Sequence, residues 1–509
     1  GSEHLIGLAG AGASSGMAMA HWEIQGWMIL ILGWVFVPFY SRSMVYTMPE
    51  FLERRYNPQS RTILSVISLV SYVLTKVAVT VYAGGLVFQQ VFGIKELWGI
   101  DFFWIAAIGL VVLTALYTIF GGMKSVLYTS VLQTPILLLG SLIILVLGFK
   151  ELGGWDEMMR VCGAVTVNDY GDAMTNLIRS NDDANFPWLG ALIGSAIIGF
   201  WYWCTDQFIV QRVLSGKNEK EARRGTIFGA YLKLLPVFLF LIPGMIAFAL
   251  HQKYIGAGGE GFLPMLANGT ANADAAFPTL VAKLLPAGVK GLVVCGILAA
   301  LMSSLASLFN SSAMLFTIDF YKRFRPETPE KKLVGIGQIA TVVIVILGIL
   351  WIPIMRSVGD VLYTYLQDVQ SVLAPGIAAA FLLGICWKRT SAQGGMWGLI
   401  AGMVIGLTRL GAKVYYSNAG EVADSTFKYL FYDMNWLFFC GWMFLFCIIV
   451  VIVVSLATEA PTAEKIQGLV FGTATKEQKA ATRASWDHWD IIHTAIILAI
   501  TAAFYWYFW

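Results

Sequence analysis

The feature of this sequence that most limits its fold is a series of apolar runs, each about twenty residues long, that recurs along the whole chain. A helix of that length crosses about 30 Å of hydrocarbon, and most of the runs are flanked by Trp, Tyr, Lys or Arg. A membrane β-barrel would require alternating segments of about ten residues, which the sequence does not contain. The pattern therefore predicts an all-α, polytopic membrane protein.

Composition supports this prediction, because 58% of the residues are hydrophobic and only 13% are charged. The net charge of +3 indicates no particular partner, and no basic arm suits a nucleic acid. No motif with the spacing of a catalytic metal site, nucleophile elbow or phosphate loop is found, so an enzyme is not expected. Thirteen spans are predicted, near residues 3–20, 22–41, 62–90, 102–120, 126–148, 187–209, 226–250, 287–318, 333–355, 360–385, 392–410, 435–457 and 489–508.

The loop charges predict the orientation of the chain, since cytoplasmic loops collect Lys and Arg. With residues 42–61 in the cytoplasm, the loops on that side contain most of the cationic residues, including those of 212–224 and 322–332. The opposite loops, such as 149–186 and 251–286, contain fewer over a greater length. The last helix is therefore expected to end outside, in the cell membrane.

Several polar residues lie inside the predicted spans, where an ionisable side chain costs roughly 3 kcal/mol or more. Two explanations remain open: the side chains pair with one another to hold helices together, or they line a central cavity. Lys233 and Arg212 could also extend to the membrane interface, as long cationic side chains near helix ends do. The set comprises Glu23, Gln25, Lys76, Asp206, Gln207, Gln211, Lys233, Gln367, Asp368 and Gln370.

The segment "LAALMSSLASLFNSS", residues 298–312, places Ala300, Ser303, Ser304 and Ser307 on one face of a helix. Small residues on one face are typical of close helix packing. Hydroxyl and carbonyl oxygens opposite an unwound helix can instead bind an alkali cation. The glycine-rich "GLAGAGASSG" near the start of the chain would suit such a partner.

The chain resembles the sodium/solute symporters, and within them the sodium/glucose cotransporters. The resemblance covers nearly the whole sequence and is specific, because its motifs are long. These motifs are "GSEHLIGLAGAGASSG", "GWVFVPFY", "YTMPEFLERRY", "TALYTIFGG", "WYWCTDQFIVQRVLSGKN", "YLKLLP", "LMSSLASLFNSS", "FTIDFY" and "FLLGICWKR".

The resemblance implies a LeuT-type fold, in which five helices and an inverted repeat of five helices form the transport core. Residues 1–385 would form this core, and 386–509 would add three helices with a cytoplasmic loop at 458–488. The sequence starts inside an apolar run without Met or a polar leader. We therefore expect that the family's preceding helix and the front half of its first broken helix are missing.

The resemblance also implies a binding site. His4, Glu23, Lys233 and Gln367 match positions of the shell that hydrogen-bonds the sugar. Tyr202 matches the aromatic gate against the sugar, and Trp203 is adjacent to it. For the transported sodium ion, the matching positions are Ala300, Ser303 and Ser304, and the other ligands would be backbone carbonyls just ahead of Gly1.

Three departures from the family pattern affect the expected stoichiometry and specificity. Relatives that couple two sodium ions carry an acid where this chain has Ser130, and a hydroxyl residue where it has Ala306. We therefore expect one sodium ion per sugar. Gly199 stands where relatives place Thr or Asn near the sugar, which leaves the hydroxyl preference open.

The expected function is sodium-coupled symport of a hexose, glucose or galactose, by alternating access. Alternatives are transport of myo-inositol or another polyol, and an uncoupled uniporter or sugar-gated sensor channel. The expected partners are the sugar, sodium and the lipid bilayer. The sequence does not determine whether the chain forms a homo-oligomer, nor the roles of Lys76, Asp368 and Gln370.

Overall fold

The structure is a computed structural model, and it describes most of the chain. Of the positions to which the sequence assigned a meaning, the side chain of Ser130 lies outside the described part. Side chains are described throughout except at residues 3, 117, 119–130, 132 and 356–358. The described backbone comprises residues 3–43, 45, 47–266, 269–358, 361–419 and 423–509.

Helices dominate the described residues, and eleven helical stretches among them are long and apolar enough to cross a membrane. Phe102–Leu116 is a shorter apolar stretch, and it belongs to the same helix as the candidate span Gln133–Leu152. The long helical runs are α1 (His4–Ser43), α2 (Pro58–Phe92), α3 (Phe102–Leu152), α4 (Trp188–Thr205), α5 (Glu219–Gly256), α6 (Ala287–Phe324), α7 (Glu330–Val358), α8 (Leu362–Cys386), α9 (Ala392–Asn418), α10 (Trp436–Ala457) and α11 (His488–Tyr507).

Short elements connect these runs. Two short strands lie between α2 and α3 and pair in antiparallel register, with Glu96 opposite Asp101. The short helices are Met48–Arg55, Trp155–Gly163, Gln207–Leu214, Ala276–Leu284, Thr426–Lys428, Ala463–Ile466 and Lys476–Ala484, with a 3₁₀ turn at Ala273–Ala275 and strands at Glu96–Leu97 and Ile100–Asp101.

One division between predicted spans is wrong. Residues 102–120 and 126–148 were predicted as separate helices, but Phe102–Leu152 is one continuous helix of 51 residues, about 76 Å long at 1.5 Å per residue. The only breakers between them are Gly121 and Gly122, each of which costs a helix about 1 kcal/mol relative to Ala. That cost is too small to end a helix without a proline or a capping turn.

The helical run α1 bends in its middle, where the sequence predicted two spans. Gly16 has a positive φ of 67°, which permits the chain to leave the helix Ala9–Ser15. A 3₁₀ turn follows, and Ile24 and Gln25 lie outside helical geometry before the helix resumes at Gly26. The bend brings polar side chains of α1 to the centre of the molecule.

The helix α4 is interrupted in a similar way. Its last turn, Phe200–Thr205, is wound as a π-helix, and Asp206 is extended with ψ of 127°. The Asp206 carboxylate then caps the next helix by accepting from the N–H of Phe208 at 3.2 Å. The polarity of this stretch is thereby placed at a helix break, inside the bundle.

The helices differ in how far they are enclosed. The apolar parts of α1, α5 and α8 are mostly buried, whereas no more than a third of the apolar part of α7, α10 or α11 is buried. In a membrane protein such exposed apolar faces suit lipid. The three buried helices form the centre, and the C-terminal helices α9 and α10 pack against α8.

Candidate functional site

A small cavity of about 40 Å³ lies at the centre of the bundle, between α1, α4, α5 and α8. The bend of α1 at Gln25 and the π-helical turn of α4 at Tyr202 both border it. The wall combines aromatic, amide and charged side chains. The lining residues are His4, Trp22, Gln25, Ile198, Gly199, Tyr202, Trp203, Lys233, Tyr363, Leu366, Gln367 and Gln370.

Behind this wall, the fully buried carboxylate of Glu23 is compensated by three side chains. Lys233 Nζ donates to Glu23 Oε2 at 2.7 Å, and His4 Nε2 lies 3.2 Å from the same oxygen. The Tyr363 hydroxyl donates to Glu23 Oε1. Because an uncompensated buried charge costs several kcal/mol, this network fixes α1, α5 and α8 around one carboxylate.

Lys233 does not extend to the membrane interface, which the sequence had left as one alternative. Its side chain is 8% exposed and its ammonium group lies 5.3 Å from the centre of the Trp203 ring. The ion pair with Glu23 and this cation–π contact hold the ammonium group at the cavity wall. The interior pairing that the sequence also allowed is the one observed.

Gln367 lies in the wall contributed by α8 and is almost fully buried. Its Oε1 atom has no hydrogen-bond partner among the described residues. A buried amide oxygen without a partner costs about 1–3 kcal/mol, and such groups are rare in folded proteins. The cavity therefore presents an acceptor that a hydroxyl-bearing ligand could satisfy.

Tyr202 and Trp203 stand side by side at the cavity, with their rings edge to face at 5.1 Å. The Tyr202 ring also lies over the ammonium group of Lys76, 4.9 Å from its Nζ. Lys76 pairs with the carboxylate of Asp206, which also accepts from the Tyr72 hydroxyl at 2.8 Å. Lys76, without a role in the sequence analysis, thus forms a layer with Asp206 beneath Tyr202.

A second, larger cavity of about 530 Å³ lies further along the chain from Asp206, toward the loop at 215–218. Its wall includes Tyr40, Gln211 and Met314. By the loop charges this is the cytoplasmic side. The Tyr40 hydroxyl donates to the carbonyl oxygen of Cys204 at 2.5 Å and so braces the π-helical turn above it.

The residues predicted for sodium lie together on α6. Ala300, Ser303 and Ser304 are half-buried and follow one another at helical spacing. Ser307, the fourth residue of that face, accepts a hydrogen bond from Arg212 at 2.6 Å. The two hydroxyl groups are of the chemical type that a sodium ion requires, and the assignment stays a prediction.

The structure brings His4, Tyr202, Trp203, Lys233 and Gln367 together at one cavity, with Glu23 directly behind them. Sequence reasoning missed part of the wall. Trp22 and Tyr363 gave no signal, because aromatic residues are common in membrane helices. Gln25 and Gln370 were noted as polar but received no site role. The further residues of the wall are Trp22, Gln25, Tyr363 and Gln370.

Asp368, the third residue left without a role, belongs to a different contact. Its carboxylate pairs with Lys413, which joins α8 to α9. The pair lies outside the cavity wall. This ion pair is the helix-to-helix type that the sequence analysis weighed as an alternative.

Comparison with known proteins settles the family. Residues 1–402 match the sodium:solute symporter family. The chain belongs to this family. Human sodium/myo-inositol cotransporter 2 is 36% identical to the symporter over 486 residues, covering 93% of this chain and 71% of the human protein. Sodium/glucose cotransporter 4 of Danio rerio is 35% identical over 502 residues, covering 96% and 75% respectively.

A solved structure supports the fold of the symporter. It shows a Na⁺-coupled sialic acid symporter in a substrate-bound, outward-open state, with a TM-score of 0.68. The match covers 91% of this chain and 88% of the other, at 20% sequence identity. At that identity the likeness shows the fold alone, and it confirms the expected LeuT-type architecture.

Family membership confirms several expectations from the sequence. The chain is a multi-pass membrane protein and a transporter, not an enzyme. It moves a small-molecule solute together with sodium as the coupling ion. The family leaves the identity of the solute open between a hexose and an inositol.

Proposed function

We propose that this symporter carries a hexose, glucose or galactose, through the central cavity. The observation that carries the proposal is Gln367, whose side chain lines the cavity and whose buried Oε1 has no hydrogen-bond partner among the described residues. A hexose supplies a ring of hydroxyl donors to such acceptors. A dry site of this kind rejects an analogue that lacks one hydroxyl, because a buried protein group would then be unpaired.

The second candidate solute is myo-inositol, and a specific observation favours it. Several of the most similar relatives are named sodium/myo-inositol cotransporters. Myo-inositol and a hexopyranose share a six-membered ring with equatorial hydroxyls, so both suit a wall of amides and aromatic rings. A direct comparison of the two solutes decides between the candidates.

The proposed division of labour in the wall follows the chemistry of each side chain. His4 and Lys233 would donate hydrogen bonds to hydroxyls of the solute, and the carboxylate of Glu23 holds both side chains in place from behind. Tyr202 and Trp203 offer ring faces and edges to the apolar side of a pyranose. Gln367 accepts a hydroxyl hydrogen.

We also propose a single sodium ion per solute. Ala300, Ser303 and Ser304 would contribute the α6 half of the sodium site. Ala306 is fully buried in α6 and offers no hydroxyl ligand for a second ion. The chain as a whole would consist of a transport core at 1–385 and three additional helices at 386–509.

In the proposed cycle, external sodium binds first and favours the state that accepts solute from outside. Binding of the solute then permits closure of the outer side. Tyr202 moves on the cytoplasmic side, and the sodium ion and the solute leave. Coupling arises because sodium binds the two states with different affinity. With one ion, about 100 mV supplies about 2.3 kcal/mol and a tenfold sodium gradient about 1.4 kcal/mol, enough for roughly 500-fold accumulation.

The test is uptake of labelled glucose, galactose and myo-inositol into liposomes that contain the full-length protein, with and without an inward sodium gradient. We expect sodium-dependent uptake of a hexose, with a Hill coefficient for sodium near one. A coefficient near two would contradict the single-ion proposal. Uptake of myo-inositol without hexose would establish the second candidate, and no uptake of any of the three would overturn both.

A further inference from the structure

Gln25 occupies an unusual position in the chain, two residues after Glu23. In a regular helix, residues at this spacing lie about 200° apart around the axis and cannot both face one cavity. Here the backbone leaves helical geometry at Ile24 and Gln25, where ψ is 13° and 31°. As a result, Gln25 lines the central cavity while Glu23 anchors the network behind it.

The orientation of the Gln25 amide is fixed by one hydrogen bond. Its Nε2 donates to the carbonyl oxygen of Ser195 on α4 at 2.8 Å, and the residue is 2% exposed. With the amide nitrogen held there, Oε1 lies against Gly199 at the wall of the cavity. An oxygen in this place is an acceptor with a defined direction.

Gly199 provides the space for this amide. A Cβ atom at position 199 would overlap Gln25 Oε1 and come within 3.1 Å of its Cδ. It would also lie 3.3 Å from Cγ of Met28. Any side chain at 199 would therefore displace Gln25 from the wall, so the two positions act as a unit.

The neighbouring carboxylate of Glu23 is not available to accept a hydrogen bond from a solute. Both oxygens of Glu23 already accept hydrogen bonds from protein side chains, namely Lys233, His4 and Tyr363. The amide of Gln25 is a neutral group of the wall whose oxygen lies opposite a glycine, and it can accept a hydrogen bond where Glu23 cannot.

We propose that Gln25 is a solute-binding, specificity-determining residue whose Oε1 accepts a hydrogen bond from one hydroxyl of the transported solute, and that Gly199 makes this contact possible. The inference rests on the proposed function, since it requires a polyhydroxylated solute. It adds a residue pair that selects solutes by the position of one hydroxyl. Removal of a buried acceptor of this kind costs on the order of 10- to 100-fold in affinity.

The experiment uses full-length protein and measures binding and uptake of the transported solute and of its single-deoxy analogues. The variants are Gln25→Ala, Gly199→Ala and the double variant. Gly225→Ala on α5 is the matched control, because a Cβ there would meet nothing within 4 Å. Thermal unfolding of each purified variant confirms that it is folded.

We expect wild type to discriminate against one deoxy analogue that Gln25→Ala and Gly199→Ala no longer reject. Each single variant loses on the order of 10- to 100-fold in affinity for the parent solute. The double variant resembles Gln25→Ala alone, because Gly199→Ala acts only through the glutamine. Gly225→Ala behaves as wild type.

Folded variants with an unchanged pattern of discrimination would overturn the role of Gln25. Additive losses in the double variant would overturn the link between Gln25 and Gly199. Failure of the proposed function gives a different result, since wild type itself would then transport none of the hexoses or inositols.

Discussion

The two sides of the central cavity are closed in different ways. We call the close contacts of Gly12, Gly16 and Gly244 the outer seal, because Gly16 meets Met174 in the loop 149–186 that is predicted to be external. A Cβ at Gly12 would overlap the carbonyl oxygen of Leu241, and the same holds for Gly16 against Met174 and for Gly244 against Ala9. Because glycine has no side chain that could rotate away, these contacts open only if the helices separate.

The inner seal consists of the side chains of Tyr202, Lys76 and Asp206. Beyond it lies the larger cavity toward the loop at 215–218. An ion pair and a ring can rearrange without moving a helix. The outer seal thus consists of backbone packing and the inner seal of an ion pair and a ring, so we expect the two seals to respond to different substitutions.

The largest effect is expected when the inner seal loses its counter-charge. Asp206→Asn keeps the size of the side chain but leaves the Lys76 ammonium group, which is 9% exposed, without a carboxylate. Breaking a buried pair from one side costs about 3–5 kcal/mol. We expect a lower Tm for the purified protein, and recovery of most of the loss in Asp206→Asn combined with Lys76→Met. A double variant as unstable as the single one would contradict this view of the seal.

The next effect is expected at the outer seal. Gly12→Val places a branched side chain against the Leu241 carbonyl oxygen, and overpacking of this kind costs about 1–3 kcal/mol. Because the cost falls on the outside-closed state, we expect solute uptake to fall about tenfold while the outward-open state is favoured. Gly109→Val, where a Cβ meets nothing within 4 Å, serves as control and should transport normally.

A smaller and pH-dependent effect is expected at Asp274, in the loop between α5 and α6. Both of its carboxylate oxygens lie within 3.2 Å of the Leu362 N–H, and Oδ1 lies 2.5 Å from a Cβ built on Gly10. Burial raises the pKa of Asp274 to about 7, although the Leu362 N–H opposes the shift. Since this folded pKa exceeds the unfolded value, stability is greatest below the unfolded pKa and declines as pH rises through about 7.

Asp274→Asn keeps an acceptor for Leu362 and cannot ionise. We expect it to stabilise the protein more at pH 8 than at pH 5.5, by about 2 kcal/mol, because wild type continues to lose stability up to pH 7 and the amide does not. Thermal unfolding at the two pH values measures the difference. Equal effects at both values would show that the carboxyl does not ionise in this range.

The smallest effect is expected for Tyr202→Phe, which keeps the ring over Lys76. The cation–π contact depends on the ring face, so uptake should remain within about twofold of wild type. Tyr202→Ala removes the ring and should allow solute to leak when sodium is absent. If Phe and Ala behaved alike, the ring would not be the closing element.

Much of the fold was predictable, because twenty-residue apolar runs and polar residues within them are strong signals. The central residues of the site followed from the family resemblance. The pairings did not follow, since Lys76 with Asp206 and Lys413 with Asp368 join segments far apart in sequence. The role of Gly199 was also hidden, because only the bend at Gln25 reveals what fills the space opposite it.

The most direct test of the account is equilibrium binding of the transported hexose or inositol to purified protein in sodium, for wild type and Gln367→Ala. We expect affinity on the order of 10- to 100-fold weaker in the variant, because the solute loses the acceptor that now has no protein partner among the described residues. Gln338→Ala on α7, outside the cavity wall, should bind as wild type does. Unchanged affinity in Gln367→Ala would contradict the claim that this cavity binds the solute.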